Sequence, residues 1–511
     1  MTKRDRKSAL ALNTFLNLIS WFSPIILAFI ATPFIVKGLG TSNYGLYAII
    51  LGFASYSFSL GIGKVGAKFI SELRITGETS KINDAVSATF WLSSIIGIAG
   101  TAILAASAPY IVSNVLLISE DSRDTAILAL YITCGTILAT IISQVFQFVL
   151  HGLHKFGENL ILTNLSGILL NLGNIILVLN GHGIAALLAW SFSVTTFIGL
   201  MFFARAKALL PSLRIRLRIP LEMLALVLKY GSSMIFYQVF ANVLFIFERA
   251  WVMRKFGAEA LAFYSIPMLL VTYLHGFVGS FAAVLFPVMN ELLIDVGKQI
   301  ELYHKTTKIV LAVVVFAVVT FICTGRIGLA LWLDEEFAAN SYSLLVIHSL
   351  TFGLISMFTI VWQTSETYRL AGLNVMTTVI WGVIAIPLMI AAAGSFGPEG
   401  IAIARLAAVC VSLPMIFYVE KRCFGHVFGK FWVAVVFRVT IAGATAALMQ
   451  TLILNSFAPG WLVLAATGLG GGVVYAAVLL LAGYLTRDER KILVELFAKR
   501  SVTTEIPPSS S

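Results

Sequence analysis

Long apolar stretches separated by short polar segments occupy the chain from about residue 13 to residue 484. Each stretch is longer than the roughly 18 residues that cross a bilayer core as a helix. None has the period-two alternation over about 10 residues that is typical of barrel strands. Because hydrocarbon offers backbone groups no water partners, the pattern predicts membrane-spanning α-helices.

The pattern predicts fourteen spans in chain order. They lie near residues 13–36, 43–63, 84–108, 125–150, 158–180, 183–204, 230–252, 260–288, 306–326, 341–364, 373–395, 399–419, 431–454 and 460–484.

Composition supports the same class of protein. Of 511 residues, 59% are hydrophobic and 12% charged, against about 25% charged residues in soluble domains. Mean hydropathy is +0.95. We therefore predict an all-α polytopic membrane protein.

The net charge of +11 is explained by the distribution of Lys and Arg along the chain. With the N-terminus assigned to the cytoplasm, predicted cytoplasmic segments hold 27 of these residues and outer segments hold six. Positive residues collect on the cytoplasmic side of membrane proteins. The bias predicts cytoplasmic N- and C-termini and an even number of spans, and it removes the need for a nucleic-acid partner.

Two matches in one register indicate an internal duplication. Val36–Ile49 (VKGLGTSNYGLYAI) recurs loosely as Met253–Ile266 (MRKFGAEALAFYSI), displaced by 217 residues. Residues 183–185 (Gly-Ile-Ala) recur at 400–402 at the same displacement. Each copy would hold six spans, an even number, so the copies share one orientation and are related by an axis along the membrane normal.

The duplication divides the chain into four parts. Residues 1–219 form a six-helix lobe with a basic linker, and residues 220–422 form the second lobe. Residues 423–500 add two spans and a cytoplasmic end, and the Pro- and Ser-rich residues 501–511 form a disordered tail. The linker motif Arg214-x-Arg216-x-Arg218 either lies along anionic headgroups or forms an ordinary loop.

Polar residues at membrane depth are costly unless they pair or line a cavity, so they are the candidate functional residues. Cations in or beside spans outnumber anions, and a cavity with that excess would attract an anionic phosphate or pyrophosphate group. For the amides, interhelical hydrogen bonding is an alternative, and a lysine near a helix end can extend to the interface. The predicted substrate-binding residues are Lys64, Arg249, Arg405, Gln238, Asn242 and Gln144, and Glu248 is a candidate for ion coupling.

The sequence contains no enzyme constellation. GxSxG, HExxH, Walker A and facing carboxylate pairs are absent, and the four cysteines have no metal-site spacing. We predict a protein that is not an enzyme and holds no metal or cofactor, with H⁺ or Na⁺ coupling left open.

Three segments resemble the polysaccharide-transporter branch of the multidrug/oligosaccharidyl-lipid/polysaccharide (MOP) exporter superfamily, which includes bacterial O-antigen flippases. Pro33-Phe34 followed by residues 38–47 (GLGTSNYGLY) is similar to the family's helix end, LG and YGxY. Residues 60–63 (LGIG) with 67–70 (AKFI) resemble its DLG…RFIAE run, although the family's Asp is Ser59 here.

The third segment lies in the second half of the chain. Glu248-Arg249, then Phe256-Gly257 and Tyr264-Ser265, resemble an acid-Arg…LG…YS pattern of the same family. The motifs cover some 60 positions.

The resemblance implies two six-helix lobes around a central cavity that opens alternately to the two sides of the bacterial inner (plasma) membrane. The implied cargo is a polyprenyl-pyrophosphate-linked oligosaccharide for surface polysaccharide, with membrane lipid, a polysaccharide polymerase and other assembly proteins as partners. Three alternatives stay open: a lipid II flippase, an ion-coupled multidrug exporter of the same superfamily, and a non-transporting scaffold of polysaccharide assembly.

Overall fold

A computed structural model describes residues 25–56, 62–76, 79–216, 221–292, 295–370 and 372–486. These residues form helices joined by short turns and contain no strand, which confirms the all-α fold class. The basic N-terminus, the start of the first predicted span, Ser59, Arg218, the Lys64 side chain and the tail 501–511 lie outside the described part.

Fourteen α-helices are described in these ranges. In chain order, α1 to α14 are Ile25–Leu39, Thr41–Tyr56, Ile62–Thr76, Thr79–Tyr110, Glu120–Gly152, Phe156–Leu179, Ile184–Leu209, Leu221–Glu291, Val296–Trp332, Glu335–Thr367, Gly372–Ser412, Pro414–Phe424, Gly429–Ser456 and Trp461–Leu481. A π-helical turn, Ile111–Val115, extends α4.

Ten helical stretches in the described ranges are long and apolar enough to cross a membrane. Two of them are each divided by a glycine with non-helical geometry: Gly257 in α8 (φ 85°) and Gly397 in α11 (φ 62°). Helix α1 and the pair α2–α3 occupy the positions of the first two predicted spans. With the two divisions, the helices follow the order of the fourteen predicted spans.

The two copies of the repeat bend in the same way. Gly40, between α1 and α2, has φ 80°, and Gly257, displaced by the same 217 residues, has φ 85°. A side chain is strained at such angles, whereas glycine adopts them readily. In each copy one glycine therefore ends an apolar helix and reverses the chain, and we call the end of the bundle that holds both residues the glycine end.

The linker between the two halves is held against α4. The Asn83 side chain makes two hydrogen bonds with the linker backbone, at 2.9 and 3.2 Å. The Ser87 Oγ accepts from the Arg216 amide at 2.9 Å. Trp91 Nε1 donates to the Arg216 carbonyl at 2.8 Å, and the Arg216 guanidinium lies 2.6 Å from Asp84. Asp84 thus supplies a counter-charge to Arg216 within the protein, and the headgroup contact of the linker stays a prediction.

Helix packing joins the two halves along α2 and α8. Within the first half α5 packs against α7 and α4, and within the second half α10 packs against α8, α9 and α11. Helices α13 and α14 pack against each other and against α9. The Gln450 amide donates to Thr320 Oγ1 at 3.0 Å and lies where a Cβ on Gly471 would clash, so α9, α13 and α14 meet closely at this point.

A buried carboxylate fastens the added pair to the second half. Glu420 of α12 is 1% exposed and accepts three hydrogen bonds, from Tyr303 Oη at 2.8 Å, Trp432 Nε1 at 2.6 Å and the Phe428 amide at 3.0 Å. These donors belong to α9, α13 and the turn before α13. Buried polar groups with satisfied hydrogen bonds fix one arrangement of the elements that carry them.

Candidate functional site

Three ionisable residues are buried together in the second half. Glu248 and Arg249 lie on α8 before its break at Gly257, and Arg405 lies on α11 after its break at Gly397. Their exposed fractions are 0%, 6% and 3%. A charge at this depth is stable only if it is paired or faces polar groups.

Glu248 is the centre of the cluster. Its carboxylate accepts from the Arg405 guanidinium and from the Tyr264 hydroxyl. Tyr264 follows the break at Gly257, so the carboxylate connects both segments of α8 to α11. Removing one member of such a buried ion pair leaves an uncompensated charge, at a cost of about 3–5 kcal/mol.

Aromatic rings enclose the ion pair. The Arg405 guanidinium carbon lies 4.1 Å from the ring centre of Phe245 and 5.1 Å from that of Phe352. The Tyr264 ring meets His348 edge-on at 4.6 Å. Cation–π contacts of this kind stabilise a desolvated guanidinium by about 2 kcal/mol, and they separate the pair from water.

Arg249 points in a different direction from Glu248. Consecutive residues of an α-helix are separated by about 100° around its axis, so Glu248 faces α11 while Arg249 turns toward the first half. A Cβ on Gly52 of α2 would lie 3.8 Å from Arg249 Cδ. The second cation therefore lies where the two halves meet.

Only the second half carries this charged set. At the 217-residue displacement, the equivalents of Glu248 and Arg249 are Ala31 and Thr32, and the equivalent of Arg405 is Leu188. The charged cluster therefore occurs in one copy of the repeat, although the two copies share the same helical pattern. Tyr47 and Tyr264 match in both copies, and both are buried.

At the glycine end the two repeat copies pack directly against each other. A Cβ on Gly45 would lie 1.7 Å from the Ala258 carbonyl oxygen, so only glycine permits this approach. The Arg254 guanidinium donates to the carbonyls of Asn114 and Val115 at the end of α4, the second at 3.0 Å. Terminal helix carbonyls carry partial negative charge, so Arg254 caps α4 from the other half of the protein.

A small cavity of about 220 Å³ lies beside this contact. Its walls come from both repeat copies and from the start of α5, and they combine hydroxyl and amide groups with apolar side chains. They include Ser42, Asn43, Ser119, Met253 and Ala258.

Among the described residues, no hydrogen bond joins Gln238, Asn242 or Gln144 to the cluster. Gln238 donates to Asn242 at 3.1 Å within α8, as the hydrogen-bonding alternative anticipates. Gln144 is partly buried on α5, and no contact among the described residues joins it to Arg249 or Arg405. Lys64 lies on α3, with its side chain outside the described part. The structure thus brings Glu248, Arg249 and Arg405 together and leaves the substrate-binding role of all six residues a prediction.

The sequence indicated Glu248 and Arg405 but neither their pairing nor their aromatic surroundings. In the sequence they are counted separately, as an anion and a cation, whereas in the structure they form an ion pair. The partners are 157 residues apart, so no spacing rule indicates the pair. Phe245 and Phe352 carry no signal that separates them from lipid-facing aromatic residues, whereas the match of Tyr264 to Tyr47 was a usable signal.

Comparison with known proteins places this geometry in a family. The family described as polysaccharide biosynthesis protein matches residues 10–293, more than half of the chain. A protein named as an O-antigen transporter from Shigella flexneri is 22% identical over 343 residues, covering 65% of this chain and 79% of that protein.

Solved structures share the fold at low sequence identity. A lipid II flippase MurJ in an inward closed conformation is 14% identical, covers 92% of this chain and 97% of its own, and has a TM-score of 0.71. An inward-facing multidrug resistance MATE transporter of the MOP superfamily is 13% identical, covers 81% and 94%, and has a TM-score of 0.61. A MOP superfamily transporter from Pyrococcus furiosus is 14% identical, covers 82% and 96%, and has a TM-score of 0.62.

The ten apolar, span-length helical stretches of the described residues indicate a multi-pass membrane protein, and its fold is that of the MOP-superfamily transporters. The chain belongs to the polysaccharide biosynthesis protein family.

Proposed function

We propose that the protein moves a polyprenyl-pyrophosphate-linked oligosaccharide from the cytoplasmic to the outer leaflet by alternating access. The observation that carries this proposal is the buried Arg249 on the face of α8 that meets the first half. The family match supplies the class of cargo, and the name of the Shigella relative supplies O-antigen as an example.

The chemistry of the cargo suits this position. A pyrophosphate must leave water when it crosses the bilayer, and a charge-assisted hydrogen bond from a guanidinium compensates part of that cost. The sugar needs a polar path between the halves, while the polyprenyl chain stays in hydrocarbon. Arg249, buried at the junction of the halves, remains in reach of the headgroup as the halves move.

The glycine end is the outer side in this proposal. In the bacterial inner membrane that the family resemblance implies, the distribution of Lys and Arg favours this end as the outer one and both termini as cytoplasmic. The direct contact of Gly45 with Ala258 and the Arg254 cap then close the outer side. Release of cargo requires the repeat copies to part there, and the linker held on α4 would stay with the first lobe.

The charge pattern favours this cargo over a cationic drug. A multidrug exporter for cations requires a carboxylate that faces the path, and Glu248 instead holds Arg405 and Tyr264. A lipid II flippase shares the pyrophosphate headgroup, and the likeness to MurJ is one of fold. We propose no cofactor, retain H⁺ or Na⁺ coupling through Glu248 as an untested alternative, and expect a polymerase to consume the exported unit.

A cellular experiment tests the proposal. In the native host, deletion of the gene should abolish surface polysaccharide, and the wild-type copy should restore it. Arg249→Met should restore less than a tenth of it at equal membrane abundance, and Arg249→Lys an intermediate amount, because lysine keeps the charge but loses the bidentate donor geometry. Full surface polysaccharide in the deletion strain, or with Arg249→Met, would refute the proposal.

A further inference from the structure

We propose that Arg405 is a positioning residue: its ion pair with Glu248 aims Arg249 at the cargo path, and Arg405 itself does not contact the cargo. This inference rests on the proposed function. It separates the roles of two arginines that sequence reasoning treated alike.

The first step concerns the enclosure of the pair. Glu248 and Arg405 have exposed fractions of 0% and 3%, and the Arg405 guanidinium packs against the rings of Phe245 and Phe352. A cargo phosphate that bound Arg405 would have to reach this buried guanidinium past the rings and displace the carboxylate. Glu248 would then be a buried anion next to another anion, which makes the displaced state unfavourable.

The Glu248 carboxylate connects helical segments that are separated by glycine breaks. Glu248 precedes the break at Gly257, and Tyr264, which donates to its carboxylate, follows it. Arg405 follows the corresponding break of α11 at Gly397. One carboxylate thus joins three helical segments across the two glycine breaks.

The rotation of α8 about its axis sets the direction in which Arg249 points. Arg249 is the next residue after Glu248, about 100° further around the helix. When Glu248 is held toward α11, Arg249 is turned toward Gly52 of the first half. Without Arg405, Glu248 would be an unpaired buried carboxylate. The segment before Gly257 would then rotate to bring that carboxylate to other polar groups, and Arg249 would leave the junction.

The test is a set of matched neutral variants, assayed for folded protein by gel filtration and for flipping of a labelled polyprenyl-pyrophosphate oligosaccharide in proteoliposomes. Arg405→Met should lower folded yield and flipping at least tenfold, because it strands Glu248. The double variant Glu248→Gln/Arg405→Met removes both charges and keeps an acceptor for Tyr264. It should recover flipping per folded molecule to within threefold of wild type, with an unchanged apparent KM.

The matched control is Arg249→Met, alone and with Glu248→Gln. Both variants should fold, raise the apparent KM at least tenfold and show no rescue by Glu248→Gln. Rescue of the Arg405 variant without rescue of the Arg249 variant would show that Glu248 pairs specifically with Arg405 and does not merely balance the total charge of the cluster.

Two results would overturn the inference. If the double variant folds but flips as slowly as Arg249→Met, Arg405 contacts the cargo. If Glu248→Gln also rescues Arg249→Met, Glu248 acts as a general counter-charge. Failure of wild type to flip the cargo would refute the proposed function instead. In that case the pairing would still be decided by folded yield, which Glu248→Gln should recover in the Arg405→Met background.

Discussion

Gly45→Ala should open the outer side of the transporter. The added methyl carbon would lie 1.7 Å from the Ala258 carbonyl oxygen and 2.6 Å from its carbonyl carbon. Both are backbone atoms of a helix and cannot move aside like the end of a side chain. Restoring an ordinary carbon–oxygen contact of about 3.3 Å would require α2 and α8 to separate by about 1.6 Å.

The size of the effect follows from this separation. Overpacking of a tight contact costs about 1–3 kcal/mol, and the cost falls only on the state in which the two repeat copies touch. Because 1.4 kcal/mol corresponds to about a tenfold change in population, the closed outer state should lose roughly five- to 150-fold in its equilibrium with the outward-open state.

The assay is labelling of a cysteine that lines the cavity beside the contact. Ser122→Cys, at the partly buried α5 wall of this cavity, in a chain without its four native cysteines, should react at least five times faster with a membrane-impermeant maleimide when Gly45→Ala is present. Gly468→Ala is the matched control, because a Cβ there meets nothing within 4 Å. Equal labelling rates with Gly45→Ala and Gly468→Ala would refute the proposed outer closure.

Three further predictions concern other parts of the frame. Gly52→Leu should lower flipping at least fivefold, whereas Gly52→Ala should be tolerated. A Cβ at this position makes an ordinary 3.8 Å contact with Arg249, and only the larger side chain displaces the guanidinium. Equal flipping rates for the two variants in proteoliposomes would contradict this. Arg254→Gln should raise labelling of Ser122→Cys several-fold, since hydrogen bonds to charged groups contribute about 1.5–3 kcal/mol and Gln cannot donate to both the Asn114 and Val115 carbonyls at the same reach. An unchanged labelling rate would show that the cap does not hold the outer contact. Glu420→Gln should lower the thermal unfolding temperature in detergent and leave flipping per folded molecule near wild type. The amide NH₂ of Gln would face one of the three groups that donate hydrogen bonds to the carboxylate. An unchanged unfolding temperature would exclude the fastening role of Glu420.

The helical frame was predictable because each span is a continuous apolar run whose length is set by the bilayer. The shared bends were also predictable: a glycine recurs at 40 and 257 within matching segments, and both adopt positive φ. These features depend on local sequence and on one internal comparison.

The arrangement of the charges was not predictable in the same way. Arg405 and Glu248 meet across 157 residues, and the linker is held by α4 residues more than a hundred positions away. Such contacts depend on how kinked helices pack, which a single sequence does not encode in any short pattern. Charge counting therefore identified Glu248 and Arg405 as candidates but could not show that they pair with each other.

The most direct test of the central claim is flipping of a fluorescent polyprenyl-pyrophosphate oligosaccharide by the purified protein in proteoliposomes, followed by quenching from one side. Wild type should transfer the lipid between leaflets, and Arg249→Met should do so at least tenfold more slowly, in line with the loss of a charge-assisted hydrogen bond of about 1.5–3 kcal/mol. Folded wild-type protein that leaves the labelled lipid in its original leaflet, or Arg249→Met that flips at the wild-type rate, would contradict the account.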